Sequence, residues 1–162
     1  MNKKSKKIYI IGNVATGKTT LAKYLSKKLN IEYYSLDQVI WDDENTVKRT
    51  KKERDKIFRN IIKKDSWIIE DVGRDCFKEG RKKSDCIYFI SLKRSTIYLR
   101  VIKRWIKQKL NIEEYDYQPT IKSLIEMLEW AKKYKKNKLC ELDKYRDKLV
   151  ILTIKELKNI NN

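Results

Sequence analysis

Gly12-Asn13-Val14-Ala15-Thr16-Gly17-Lys18-Thr19 fits the spacing G-x-x-x-x-G-K-[ST], and its flanks supply the context that this spacing needs. Before it, Ile8-Tyr9-Ile10-Ile11 is a short apolar, β-branched run next to lysines. After it, Leu21, Ala22, Leu25 and Leu29 recur at helical spacing. The local reading is strand, loop, helix. Gly12 and Gly17 lack a Cβ, which permits positive φ and a close approach of the backbone to a polyphosphate. The intervening N–H groups of Asn13, Val14, Ala15 and Thr16 then converge on one anion site. The positive end of the following helix adds to that field. Lys18 offers an ammonium to the β and γ phosphates, Thr19 a hydroxyl to Mg²⁺, and Thr20 a further hydroxyl to phosphate. The expected ligand is ATP or another nucleoside triphosphate. The plain alternative is a glycine turn before an ordinary helix, and the fixed spacing in this context argues against it.

Working outward, 162 residues with one proline and four glycines leave no evident linker, so residues 1–162 are expected to form one domain. No run of about 18 apolar residues is present. The lysine-rich start leads into a strand instead of a signal-peptide core, which predicts a cytoplasmic chain with no membrane partner. Cys76, Cys86 and Cys140 are odd in number and widely spaced, which indicates neither a disulfide framework nor a zinc site. With no histidine, proton transfer near neutral pH falls to carboxylates, lysine, tyrosine or water. The net charge of +18 admits a nucleic-acid partner. The lysines are spread over the polar positions of amphipathic helices, however, which favours a solvated surface and a polyanionic small ligand. Monomer and homodimer both remain open.

Ile31 to Leu36 reads as a second strand ending at Asp37, followed by a polar stretch, and Lys51 to Lys64 as a helix facing the core with Ile57, Ile61 and Ile62. Trp67 to Glu70 and Asp85 to Leu92 read as strands three and four. Their nearly continuous hydrophobicity suggests a sheet covered on both faces. Ser95 to Lys109 is a helix with Ile97, Val101, Ile102, Trp105 and Ile106 on its buried side and Arg100 and Arg104 on another face. Pro119 opens a helix with an apolar stripe of Ile121, Leu124, Ile125, Leu128 and Ala131, and Lys148 to Thr153 is a fifth strand. Strands alternating with helices at this spacing define a parallel α/β sheet, with the loop at its carboxyl edge.

The chain resembles the adenylate-kinase-like P-loop kinases, and within them the bacterial proteins labelled DNA topology modulation proteins. The resemblance rests on the loop, on Leu36-Asp37 with Trp41, on Trp67 to Glu70, and on Asp85 to Leu92 followed by Tyr98 to Arg104. It implies a three-layer P-loop NTPase fold with a five-stranded parallel sheet of order 2-3-1-4-5. It also implies a lid at about residues 107–118, and phosphoryl transfer from ATP with Mg²⁺. Two departures stand out. Asp71 occupies the place of a glycine after the third strand, and the lid candidate lacks the four cysteines of zinc-bearing lids. Arg74, four residues beyond Glu70, corresponds to the arginine that grips an acceptor phosphate in such enzymes.

Phosphoryl transfer needs cations around the γ phosphate and an aligned acceptor. Lys18, Arg100 and Arg104 are the candidate cations. Asp37 is placed either to orient an acceptor hydroxyl or to cap a short helix. Glu70 or Asp71 is the candidate for a Mg²⁺-bound water. Glu70 is preferred, since neighbours in a strand point opposite ways. Trp41, Tyr33 and Tyr34 fit either stacking on a base or sugar, or rim packing. The expected activity is a kinase acting on a small-molecule or nucleotide acceptor. The alternative is a nucleic-acid-associated NTPase or polynucleotide end kinase.

Overall fold

In the computed structural model, which describes residues 6–42, 47–112, 119–134 and 138–161, the apolar run before the loop becomes the central strand β1 (Lys7–Gly12). Its alternate residues face opposite ways. Tyr9 and Ile11 enter a core built with Trp67, Ile69, Ile87 and Phe89. Ile8 and Ile10 enter another with Ile68 and Ile90. β1 pairs with β3 (Trp67–Asp71) on one side and with β4 (Cys86–Ile90) on the other. β2 (Tyr33–Ser35) and β5 (Leu149–Leu152) form the edges, giving the all-parallel order β2-β3-β1-β4-β5 that the resemblance implied.

Two helical layers cover the sheet because each presents one apolar stripe. α1 (Lys18–Leu29) and α8 (Ile154–Asn161) cover the Ile8 face with Leu21, Ala22 and Leu157. α2 (Leu36–Ile40), α3 (Lys51–Lys63) and α7 (Lys138–Leu142) cover the Tyr9 face with Leu36, Val39, Phe58, Ile61, Ile62 and Leu142. Each such fully buried side chain contributes on the order of 1.5–3 kcal/mol. α3 starts in a reciprocal capping box. The Glu53 N–H donates to Thr50 Oγ1 at 3.3 Å, and the Thr50 N–H donates to Glu53 Oε2 at 2.9 Å. α4 (Lys78–Lys83) follows a 3₁₀ turn at Asp75–Phe77, and a second 3₁₀ stretch, Asp143–Lys148, leads into β5. α5 (Arg94–Lys109) and α6 (Ile121–Lys133) pack on each other beside the loop through Ile97, Val101 and Ala131.

Several local expectations are corrected. The second strand ends at Ser35, and helix α2 comes next in place of the expected polar stretch, because Leu36 and Val39, three apart, both enter the core. Ile102 and Ile106 are exposed, as are Ile121 and Ile125. α6, Leu92 and the phosphate-loop residues Val14 and Ala15 cover only the face of α5 that carries Ile97 and Val101, which is narrower than the apolar stripe in the sequence. Thr120, not Pro119, begins α6; its hydroxyl accepts from the Ser123 N–H at 3.1 Å. Among the described residues no helix is long and apolar enough to cross a membrane.

Candidate active site

β1 delivers Gly12 to the carboxyl edge of the sheet, where a Cβ would lie 2.7 Å from Thr16 Oγ1 and 3.3 Å from the Ile90 carbonyl oxygen. Gly12 is thus required by close packing, and of the two loop glycines only Gly17 uses the positive φ that a missing Cβ permits. Within the loop the left-handed residues are Ala15, with φ 53, and Gly17, with φ 96. Gly12→Ala is expected to cost about 1–3 kcal/mol through overpacking, checked by thermal unfolding alongside triphosphate affinity, which should fall.

The loop closes on its own side chains. Thr16 Oγ1 donates to the Asn13 carbonyl at 2.8 Å, and Lys18 Nζ donates to the same oxygen at 2.9 Å. The Val14 N–H donates to Asn13 Oδ1 at 2.7 Å, while Asn13 Nδ2 donates to the Ala131 carbonyl at 3.0 Å, tying the loop to α6. Val14 and Ala15 pack against the cluster between α5 and α6. The side chain of Asn13 was not singled out in the sequence, and nothing local could have pointed to a partner at Ala131.

Around this loop the helices and strands bring further polar groups. Thr19, exposed in the first turn of α1, donates its hydroxyl to Glu70 Oε1 at 2.8 Å. Thr20, next along α1, is also exposed. Arg100 reaches from α5 and donates through Nη1 to the Thr16 carbonyl at 3.0 Å. Arg104 lies one turn further along α5 and is half-buried. Burial pushes the Lys18 ammonium below its ordinary pKa, while Glu70, Asp37 and Asp71 oppose the shift.

Glu70 and Asp71, adjacent on β3, face opposite ways and meet different partners. Glu70 meets Thr19. Asp71 accepts from Tyr9 Oη at 3.3 Å, from the Gly73 and Arg74 N–H groups at 2.9 and 2.6 Å, and from Arg74 Nη1 at 2.7 Å. Burial first, and then Asp71, hold the Tyr9 phenol well above its ordinary pKa, so it stays a donor. Arg74 Nη2 donates to Asp37 Oδ1, and the Asp37 side chain remains 57% exposed. Burial opposes the Arg74 charge, yet Asp37 and Asp71 together hold its pKa above the ordinary value.

Asp37 sits in the first turn of α2, whose N-cap is Ser35; the capping role considered for Asp37 is thereby corrected. Trp41 comes at the end of that helix, its N–H on the Asp37 carbonyl and the Lys48 ammonium 5.0 Å from its ring centre. Tyr34 bonds Glu32 and Lys64 through its hydroxyl, and Tyr33 packs against the α1 face of the sheet, so both act in packing here. Of the expected lid, residues 107–109 belong to α5, and residues 113–118 lie outside the described residues.

A phosphate loop at the edge of a 2-3-1-4-5 sheet, with a lysine in it and an acidic strand end behind it, defines the P-loop class of nucleoside-triphosphate-binding folds. The chain belongs to the AAA domain family, whose model matches residues 8–118. It is similar to a shikimate kinase of Flavobacterium psychrophilum, with 28% identity over 146 residues and 80% of each chain covered. In fold it is similar to a gluconokinase from Sinorhizobium meliloti, with TM-score 0.51, 10% identity, and 92% of this chain and 82% of that one covered. A sugar kinase from a Janibacter species gives TM-score 0.50 at 14% identity, covering 93% and 86%.

Proposed function

We propose that this protein transfers the γ-phosphoryl group of Mg-ATP to a hydroxyl of a small molecule, with the donor held at Gly12 to Thr20 and the acceptor between Asp37, Trp41 and Arg74. The observation that carries the reading is the juxtaposition of Lys18, Arg100 and the Thr19–Glu70 pair around one loop, with the Lys18 charge coupled to Asp37. The residues fit the triphosphate: the cradle at Gly12 has no room for a Cβ, and Gly17 opens the helix N-terminus with left-handed backbone. Mg²⁺ would supply charge neutralisation to the triphosphate when bound.

In this reading Lys18 exchanges its bond to the Asn13 carbonyl for phosphate oxygens. Arg100 and Arg104 stabilise the charge that spreads over the transferred group. Thr19 and Glu70 would hold the metal, and Thr20 would add a hydroxyl to phosphate. Asp37 receives the acceptor hydroxyl proton while the acceptor oxygen bonds to the γ phosphorus and the bond to the β–γ bridging oxygen breaks, leaving ADP. The lid at about residues 107–118, a cytoplasmic setting, a single domain and a monomeric or homodimeric state belong to the same proposal. So does kinship with the DNA topology modulation proteins, on the strength of Leu36-Asp37, Trp41 and Tyr98 to Arg104.

The test is ADP release by the purified chain with Mg-ATP across hydroxylated metabolites, sugars and nucleosides. Acceptor-dependent turnover is expected. Its absence across a broad panel, with ATP binding intact, would overturn the reading. Stimulation by polynucleotide in place of small acceptors would move the protein to the nucleic-acid reading that its +18 charge admits. Glu70→Gln keeps an acceptor for Thr19 and loses the charge; the Mg²⁺ concentration for half-maximal rate is expected to rise about 10- to 100-fold, measured by metal titration of turnover.

A further inference from the structure

The peptide between Asn13 and Val14 is gripped at both of its polar ends. Its carbonyl, that of Asn13, accepts from Thr16 Oγ1 at 2.8 Å and from Lys18 Nζ at 2.9 Å. Its N–H, that of Val14, donates to Asn13 Oδ1 at 2.7 Å. The same side chain, on a residue only 6% exposed, donates through Nδ2 to the Ala131 carbonyl at 3.0 Å. With its oxygen and its nitrogen both engaged, the amide has one orientation that satisfies it. Ala131 lies in the last turn of α6, among the carbonyls that a helix leaves without an intrahelical N–H. The Asn13 amide therefore caps a carbonyl of that helix while it anchors the loop.

This arrangement bears directly on Lys18. The ammonium meets the loop at the Asn13 carbonyl oxygen, so its place depends on the direction in which that peptide points. A turned peptide would carry the oxygen away from Lys18 Nζ and break the bond from the Val14 N–H. The Val14 N–H, held by Oδ1, is engaged within the loop and is not among the donors left for a triphosphate. The loop is also held from α5, where Arg100 Nη1 donates to the Thr16 carbonyl at 3.0 Å. α5 and α6 pack on each other through Ile97, Val101 and Ala131, with Val14 and Ala15 against them. A shift of the loop thus has a direct path to the end of α6, through Asn13.

We infer that Asn13 is a positioning residue of the donor site: its side chain locks the peptide that aligns Lys18, and it carries occupancy of the loop to the last turn of α6. The inference rests on the triphosphate reading above and deepens it. The Asn13 side chain acts through Lys18 and α6 and does not itself touch the phosphates.

The experiment is a double-mutant cycle on Mg-ATP affinity, read by calorimetry without an acceptor, across the wild-type chain, Asn13→Ala, Lys18→Ala and the double variant. Asn13→Ala is expected to weaken Mg-ATP binding about tenfold when Lys18 is present and less than about twofold when it is gone, with thermal unfolding as the control on the fold. A brace with no part in aligning Lys18 would cost the same in both backgrounds. That additivity overturns the inference and leaves the triphosphate reading standing, as does a folded Asn13→Ala variant that binds Mg-ATP like the wild type. Amide exchange gives a second readout. Mg-ATP is expected to slow exchange in the last turn of α6 about tenfold in the wild type and to leave it unchanged in Asn13→Ala. Equal protection in both chains, or none in the wild type, overturns the inference as well. If Lys18→Ala binds too weakly to measure, the exchange comparison decides; if Asn13→Ala does not fold, protection in the wild type decides. Failure of the wild-type chain to bind Mg-ATP rejects the triphosphate reading, and the inference with it.

Discussion

Arg100→Ala is expected to lower kcat/KM roughly 10³- to 10⁵-fold, the range over which a transition-state arginine acts in phosphoryl transfer. That loss corresponds to roughly 4 to 7 kcal/mol, each factor of ten being about 1.4 kcal/mol. The expectation follows from position. Arg100 projects from α5 onto the phosphate loop and donates to the Thr16 carbonyl at 3.0 Å, and the same Nη1 lies 3.8 Å from where a Cβ on Gly17 would be. Its remaining N–H groups are left to meet a triphosphate. Arg100 is only half-buried, so its removal should leave the thermal midpoint nearly unchanged. Arg100→Lys keeps the charge and loses the planar fork, and should recover only part of the rate. The decisive measurement is single-turnover ADP formation beside ATP affinity. A large fall in affinity with an unchanged chemical step would make Arg100 a ground-state binding residue instead.

Asp37→Asn is expected to lower kcat roughly 10²- to 10⁴-fold, as removal of a positioned general base does. The substitution is nearly isosteric and keeps an acceptor for Arg74, so the pair with Nη2 loses its charge while its shape remains. ATP binding at Gly12 to Thr20 should persist, because the Asp37 carboxylate is engaged by Arg74, outside that loop. Acceptor-independent ATP hydrolysis, measured in parallel, should be spared relative to acceptor phosphorylation. An equal fall in both would indicate that Asp37 acts on the loop through Lys18, whose charge it influences.

The candidate site was legible in the sequence to the extent that its chemistry is local. Gly12 to Thr19 is a contiguous string whose spacing carries its own mechanism, and strand and helix signals beside it are strong. What the string does not carry is the packing constraint on Gly12, which comes from Thr16 and from Ile90 on a neighbouring strand and not from its own φ. The choice between Glu70 and Asp71 could be framed from strand alternation alone, since adjacent residues face opposite sides. Which side meets Thr19 depends on the register of β1 against β3, where Ile10 pairs with Glu70 and Ile11 with Asp71. The exposure of Ile102 and Ile106 was illegible for a related reason: helical periodicity marks an apolar stripe, while the breadth of the surface that covers it is set by α6.

By itself, then, the amino-acid sequence determined the phosphate loop, the alternation of strands and helices and, through its resemblance, the strand order, because these depend on short-range spacing and side-chain period. Tertiary structure alone decided how the loop is braced by Asn13 on Ala131, which acidic residue faces Thr19, and how Asp71 fastens Arg74 to Asp37. Most of those contacts join residues far apart in the chain, and their geometry comes from how the sheet and helices pack, which no local pattern encodes.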